Sequence, residues 1–251
     1  MQITFLGTGG AAQIPVFGCH CDVCVKASAI NTLRRKSASI IVSQNLKNLF
    51  IDAGLSDLHQ RYRKDKIDAF LLTHYHMDHV QGLFSIRWGV GEKIPVFGPD
   101  DKDGCDDLFK HPGLLSFQEP LKAFETSDIL GMQITPLPLN HSKPTLGYLL
   151  TSSQTGRRLA YLTDTSGLPP KTSEFLKHNR PHTLVIDCAY PPSDIEGRNH
   201  NTLTQVLAIN KEIQSPQTYL THISHELDLW INSHNLPEGV MAAYDGLVIN
   251  I

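Results

Sequence analysis

Three histidines and one aspartate lie within six residues, in the segment His74-Tyr75-His76-Met77-Asp78-His79. Neutral imidazoles and carboxylates are common ligands of divalent metal ions. His74 and His76, one residue apart on an extended segment, can bind one ion, whereas Asp78 and His79 lie after a bend and can bind a second. Two ions need more ligands than this turn offers. The segment therefore predicts half of a dinuclear metal site.

The missing ligands are expected where later strands end. His141, Asp164 and His222 each follow an apolar stretch that is typical of a strand. Strand ends in α/β folds meet at one edge of the sheet, where active sites form. A carboxylate such as Asp164 can bridge two cations. A site of histidines and aspartates without thiolates normally keeps solvent positions open, which favours catalysis over a binding module without catalysis or a polar surface turn.

A second candidate metal site is the motif Cys19-x-Cys21-x-x-Cys24. In a reducing compartment such a cluster indicates a metal site rather than a disulfide framework. Tetrahedral zinc usually has four ligands. His225 is the favoured fourth ligand because it lies three residues after His222, so that one histidine can face each site. His20 is the competing ligand, and three unmetallated cysteines are the alternative.

The elements that position these residues are short strands and helices. Residues 69–72 are predicted to form a buried strand that leads into the histidines, and residues 80–87 a helix that opens after them. Residues 11–36 are expected to form a long loop that carries the cysteines, and residues 201–212 a helix. The turn Gly7-Thr8-Gly9-Gly10 lacks the lysine of a P-loop and the dinucleotide spacing, so a tight turn that lines the site is favoured over a phosphate cradle.

Composition limits the function classes. The chain has 251 residues, is 41% hydrophobic and carries a net charge of −3, and we predict one domain over residues 1–251. Without a lysine and arginine block, the charge gives no support to nucleic-acid binding. The first residues lack a basic leader, and no stretch approaches the roughly 20 apolar residues of a membrane span. We therefore expect a cytoplasmic protein that does not bind membranes.

The segment Thr73 to His79, followed in order by His141, Asp164 and His222 and preceded by Asp52, resembles the metallo-β-lactamase superfamily. This resemblance implies an α/β (α+β) fold, the αββα sandwich, with a dinuclear metal site at one edge of its two sheets. It implies that His74, His76 and His141 hold one ion, that Asp78, His79 and His222 hold the other, and that Asp164 bridges them. It also implies that Asp52 supports the histidine turn from behind and that Asp187 is structural.

Longer segments resemble the PhnP-like phosphodiesterases of the carbon–phosphorus lyase pathway; they are residues 52–55, 71–91, 104–115, 136–143 and 220–225. That family implies hydrolysis of 5-phospho-α-D-ribosyl 1,2-cyclic phosphate to ribose 1,5-bisphosphate in phosphonate catabolism. It implies two catalytic divalent cations, with manganese favoured and zinc the alternative, one structural zinc at Cys19, Cys21, Cys24 and His225, and a homodimer. The expected mechanism is attack on phosphorus by a hydroxide that the cations share, with His200 as general acid.

Three rival functions remain open. A transfer-RNA 3′-end nuclease of the same superfamily usually carries a long protruding arm, and no basic insertion stands out here. A PqqB-like protein would share the three-cysteine motif, and a metal-dependent binding protein would not hydrolyse anything. The sequence also leaves open which cation holds the 5-phosphate, because Arg87, Lys143 and Arg198 are all candidates and each can equally be a packing or surface residue.

Overall fold

Residues 1–251 are described by a computed structural model. The strands are β1 (Gln2–Gly7), β2 (Ser39–Gln44), β3 (Lys47–Ile51), β4 (Ala69–Leu71), β5 (Ile94–Phe97), β6 (Leu115–Phe117), β7 (Ser127–Ile129), β8 (Met132–Pro138), β9 (Leu146–Ser152), β10 (Arg158–Leu162), β11 (Thr183–Asp187), β12 (Gln217–Thr221), β13 (Val240–Ala242) and β14 (Val248–Asn250). The α-helices are α1 (Asp22–Ala29), α2 (Leu58–Arg61), α3 (Met77–Val80), α4 (Leu83–Ile86), α5 (Asp106–Lys110), α6 (Pro170–His178), α7 (Leu203–Ile213) and α8 (His225–Ile231).

The strands form two seven-stranded sheets, in the orders β14-β1-β2-β3-β4-β5-β6 and β13-β12-β11-β10-β9-β8-β7. Strands β3 to β6 run parallel in the first sheet, and β10 to β13 run parallel in the second. The remaining pairs are antiparallel. Both sheets are therefore mixed, and each has a parallel half whose strands end at the same edge.

Side chains of one strand alternate between two cores. In β4, Ala69 and Leu71 pack in the core between the sheets, whereas Phe70 packs on the outer face of the first sheet. In β10, Leu159 shares the inner core, whereas Ala160 packs on the outer face of the second sheet. Both faces of such strands are buried, which explains why they read as continuous apolar runs rather than as alternating patterns. Helices cover both outer faces, so the predicted αββα sandwich is confirmed.

The sheets meet at the edge where the histidine segment begins. The backbone N–H of Leu146 donates to the carbonyl of Thr73 at 2.9 Å, and the Tyr148 hydroxyl donates to the carbonyl of Leu72 at 2.5 Å. Leu146 and Tyr148 belong to β9 of the second sheet, whereas Leu72 and Thr73 follow β4 of the first. These contacts fix the segment that starts at His74 against both sheets.

Two element predictions were wrong. Residues 11–36 are not wholly loop, because they contain helix α1, whose buried Val23, Cys24 and Ala27 pack with Ile14. The helical spacing of these residues is masked by the cysteine motif that overlaps it. The helix predicted over residues 80–87 is instead two short helices, α3 (Met77–Val80) and α4 (Leu83–Ile86), and Asp78 lies on the first of them. None of the helices has both the length and the apolar character needed to cross a bilayer.

Candidate active site

A first group of ring nitrogens comes from three histidines at the edge of the sandwich. His76 Nδ1 lies 2.9 Å from His74 Nε2 and 3.1 Å from His141 Nε2. His74 and His76 follow β4, and His141 follows β8 in the other sheet. The three donors that the sequence predicted for one ion are therefore brought together, with all of their ligand atoms within 4.8 Å of one another.

A second group gathers around the Asp164 carboxylate. Asp164 Oδ2 lies 3.3 Å from His79 Nε2 and 3.4 Å from His222 Nε2, and Asp78 Oδ2 lies 3.4 Å from His79 Nε2. The same Asp164 oxygen lies 3.8 Å from His74 Nε2 and also from His141 Nε2. Asp164 thus stands between the two groups, as its predicted bridging role requires.

The far sides of two of these rings, those of His79 and His141, are fixed by the protein. His79 Nδ1 lies 2.8 Å from the buried carboxylate of Asp52, which also accepts hydrogen bonds from the backbone and hydroxyl of Thr73. His141 Nδ1 lies 3.2 Å from the carbonyl oxygen of Asn199. Such contacts orient a ligand ring and fix its tautomer. Asp52 therefore has the supporting contact that the sequence predicted, and the inner nitrogens of these rings face the cluster.

Burial and charge act in opposite directions on the pKa values of this cluster. Burial holds the pKa of His74 well below its usual value. At His79 burial also lowers the pKa, but the Asp164 and Asp52 carboxylates outweigh it and hold the pKa well above its usual value. Burial raises the pKa of Asp164, but His222 and His79 outweigh it and hold that pKa well below its usual value. The Asp164 carboxylate is therefore ionised, as a metal ligand must be.

The residues of the two groups fit a pair of divalent cations. His79 Nε2 and both ring nitrogens of His222 are buried and have no hydrogen-bond partner. Buried polar atoms normally have partners, so such orphans require an explanation. Ligand atoms bonded to a tetrahedral cation at about 2.1 Å lie roughly 3.4 Å apart, which matches the separations around Asp164. A cation would satisfy the orphaned nitrogens and hold the carboxylates together.

His200 lies beside the cluster, and its partner is a residue that the sequence reading treated as structural. His200 Nδ1 lies 2.9 Å from Asp187 Oδ2, and its ring stacks on that of His222 with 4.3 Å between centroids. The other carboxylate oxygen of Asp187 accepts a hydrogen bond from Asn201 Nδ2 at 2.7 Å, and Asp187 is fully buried. Asp187 therefore orients the His200 ring. The sequence did contain a signal for this role, because Asp187 lies at the end of a strand, as other site residues do.

The predicted thiolate site is brought together as a separate group. His225 Nδ1 lies 3.4 Å from Cys19 Sγ, 3.5 Å from Cys21 Sγ and 3.8 Å from Cys24 Sγ. These separations suit a tetrahedral zinc with three sulfur ligands and one nitrogen ligand. The competing ligand His20 is exposed and lies outside the group. The backbone N–H of Cys24 and the His225 ring lower the pKa of Cys21 to about 7, which favours its thiolate.

The glycine-rich turn at the end of β1 lines the site. A Cβ on Gly10 would lie 2.9 Å from Cε1 of His222, and one on Gly7 would lie 2.1 Å from the carbonyl oxygen of Ser37. The Gly10 backbone therefore lies so close to His222 that a side chain at position 10 would collide with the ring. The favoured interpretation of this turn agrees with the structure.

Comparison with known proteins gives three informative relatives. A solved structure described as a new diphosphatase from the PhnP family is 28% identical, with a TM-score of 0.82 over 99% of this chain and 96% of that one. An octanoyltransferase of Porphyromonas gingivalis is 29% identical over 98% of this chain but 51% of its own length. A ribonuclease Z of Staphylococcus carnosus is 26% identical over 78% of this chain and 65% of its own length. The chain thus spans only about half to two thirds of these two curated relatives.

The sequence model of the β-lactamase superfamily domain matches residues 47–223. That range begins with β3 and ends just after His222, so it includes both groups of histidines and aspartates. Since it covers well over half of the chain, this protein belongs to the metallo-β-lactamase superfamily.

Proposed function

We propose that this protein is a metal-dependent phosphodiesterase that hydrolyses 5-phospho-α-D-ribosyl 1,2-cyclic phosphate to ribose 1,5-bisphosphate. The observation that carries the proposal is the position of Asp164, whose Oδ2 lies 3.3 to 3.8 Å from ring nitrogens of both groups, beside His200. The resemblance of long segments to PhnP-like enzymes and the 28% identity to a PhnP-family structure support the choice of substrate.

The residues that would hold the catalytic cations are the seven predicted from the sequence; they are His74, His76, Asp78, His79, His141, Asp164 and His222. Bound divalent cations supply a Lewis acid for the phosphoryl oxygens and acidify water near neutral pH. Nitrogen and oxygen donors suit manganese or zinc there, whereas three thiolates favour zinc at the second site. Manganese at the catalytic pair, a structural zinc and a homodimer are parts of the same proposal.

His200 supplies the proton in this proposal. Its Nδ1 is directed at Asp187, so Nε2 is the ring atom left to donate to the leaving ribose oxygen. The buried Asp187 carboxylate lies 2.9 Å from Nδ1 and holds the ring in place, as an aspartate orients a catalytic histidine elsewhere. Stacking on His222 keeps the donor next to the residues that hold the cations.

Two other activities of the same hydrolase class have specific support. The PhnP-family neighbour is described as a diphosphatase, which favours cleavage of a phosphoanhydride rather than a phosphodiester. Ribonuclease Z relatives favour cleavage of a transfer-RNA precursor. Against the nuclease, β9 and β10 fill most of the chain between His141 and Asp164, and the intervening turn is short.

The test is turnover by purified protein loaded with manganese or with zinc. The substrates are the cyclic ribosyl phosphate, bis(p-nitrophenyl) phosphate, a dinucleoside diphosphate and a transfer-RNA precursor, with Asp164→Ala as the inactive control. The proposal expects the cyclic ribosyl phosphate to give the highest kcat/KM by a wide margin. Preferred cleavage of the dinucleoside diphosphate would favour a diphosphatase instead, and preferred cleavage of the transfer-RNA precursor would favour a nuclease. No hydrolysis of any substrate would indicate a binding protein.

A further inference from the structure

The proposed substrate carries a 5-phosphate in addition to the phosphate that reacts, and the structure discriminates between the three candidate cations. Arg87 is committed to packing. Its guanidinium lies 2.7 Å from the Asp107 carboxylate and donates to the Asp107 carbonyl at 2.9 Å, and its side chain is 9% exposed. It also lies 5.0 Å and 4.8 Å from the ring centres of Phe84 and Trp88. Arg87 therefore has no face left for a substrate.

Lys143 is committed to a partner as well. Its ammonium lies 3.2 Å from Asp101 Oδ2 and 3.4 Å from the carbonyl oxygen of Gly104. The Asp101 side chain is 5% exposed, and its other oxygen accepts from the backbone of Asp103 and Gly104. Removing Lys143 from this pair would leave a buried charge uncompensated, which is costly. Lys143 therefore lies near the site, but its charge is already neutralised by Asp101.

Arg198 differs from both, because its side chain is exposed and has neither an ion-pair nor a hydrogen-bond partner. The backbone on either side of it is nevertheless fixed. Gly197 donates to Gln205 Oε1 at 3.0 Å, and the Asn199 carbonyl lies 3.2 Å from His141 Nδ1. A Cβ on Gly197 would lie 1.9 Å from the carbonyl oxygen of His200, so the turn is compact. The backbone of Arg198, a residue with an unpaired side chain, is thus fixed next to Asn199, which contacts a site histidine.

We propose that Arg198 binds a second anionic group of the substrate, a phosphate monoester remote from the bond that breaks. This inference rests on the proposed function and specifies it. The guanidinium presents a planar fork that matches phosphate oxygens, which a lysine does not reproduce. Two acidic residues of the same loop, Asp194 and Glu196, are exposed and unpaired with it. Arg198 therefore selects small phosphodiesters that carry a phosphate monoester, and it is a specificity residue rather than a catalytic one.

The experiment compares wild type with Arg198→Ala and Arg198→Lys on the cyclic ribosyl phosphate with and without its 5-phosphate. Arg157→Ala is the matched control, because Arg157 is an exposed arginine in the turn before β10, at the opposite end of that strand from Asp164. Loss of a charge-assisted contact predicts a KM higher by about 10- to 100-fold for the phosphorylated substrate. We expect little change in kcat, little change on the dephosphorylated ring, and partial rescue by lysine.

Binding of ribose 5-phosphate by calorimetry gives a readout that does not need turnover. The affinity should weaken by the same factor in Arg198→Ala and stay unchanged in Arg157→Ala. An equal loss on both substrates, or unchanged binding of ribose 5-phosphate, would overturn the assignment of Arg198. A wild type that binds ribose 5-phosphate through Arg198 but hydrolyses no diester would contradict the proposed function while leaving the anion site standing.

Discussion

The two clusters of metal-capable residues differ in how the chain builds them. The thiolate group takes three donors from the short segment Cys19 to Cys24 and one from His225. The histidine and aspartate group takes its donors from helix α3 and from the segments that follow β4, β8, β10 and β12, in both sheets. A four-donor shell of thiolates and one imidazole is closed, whereas a pair of ions shared among seven side chains keeps positions for solvent and substrate. We therefore propose that the thiolate cluster serves stability and the histidine and aspartate cluster serves catalysis.

The clusters are also connected. His222 and His225 lie on one short segment, and Ile223 between them donates its backbone N–H to the Thr8 carbonyl at 2.8 Å. Arg35, which ends the cysteine-bearing segment, forms a bidentate pair with Asp228 of α8 at 2.9 Å. These contacts join the segment that carries Gly10 and the cysteines to the segment that carries His222 and His225. A closed site beside an open one can hold a catalytic ligand in place without taking part in the reaction.

Asp164→Ala should have the largest effect and should separate the clusters. Its carboxylate is the common neighbour of both histidine groups, so we expect loss of the catalytic cations and a fall in phosphodiester turnover of at least about 10³-fold. Zinc at the thiolates should remain. Metal content by mass spectrometry and kcat/KM measure both, with the exposed Asp65→Ala as the control. An unchanged metal count would remove the bridging role.

His200→Ala tests whether this histidine is a metal ligand or acts only as the general acid. The atoms of Asp164, Asp187, His200 and His222 lie close enough to hold an ion as well, so a ligand role is a real alternative. As a general acid, His200 should lower kcat by about 10²- to 10⁴-fold when removed, with metal content intact. Asp187→Asn should lower kcat less and also retain metal. Loss of a catalytic ion in His200→Ala would make it a ligand instead.

Cys21→Ser tests the stabilising role of the thiolate cluster. Loss of a structural zinc should lower the free energy of unfolding by several kcal/mol and the Tm by roughly 10 °C. Cys105→Ser is the matched control, because Cys105 lies outside both clusters. Thermal unfolding, zinc content and turnover at low temperature are the measurements. If Cys21→Ser kept its Tm but lost turnover, the division between a stabilising and a catalytic cluster would be wrong.

Gly10→Ala should have the smallest effect and tests the connection between the clusters. The added methyl group would lie 2.9 Å from Cε1 of His222, so the ring must shift. We expect affinity for the second catalytic cation to fall roughly 10- to 100-fold, as when the support of a ligand is altered. Zinc at the thiolates should be retained. Metal titration checks this against Ala12→Ser, an exposed neighbour, and equal affinities would show that Gly10 does not position His222.

Much of the site was predictable because strand ends in this architecture converge, so residues far apart in sequence could be assigned to one edge. Helix α1 was missed because Cys24 belongs both to the cysteine motif and to the buried face of the helix, and the motif led to the prediction of a loop. The role of Asp187 was missed because it depends on a contact to His200, across a loop. Likewise, the sequence could not show that Arg87 and Lys143 are paired, because their partners Asp107 and Asp101 are brought close to them only by the fold. Patterns in sequence identify donors, whereas pairing between side chains requires coordinates.

The central claim is that one chain holds two metal centres of different chemistry, and X-ray absorption at two edges tests it directly. The sample is wild-type protein reconstituted with manganese and retaining its tightly bound zinc. We predict about three sulfur neighbours near 2.3 Å and one nitrogen neighbour at the zinc edge, and nitrogen and oxygen neighbours alone at the manganese edge. Zinc without a sulfur majority, or manganese with sulfur neighbours, would contradict the account.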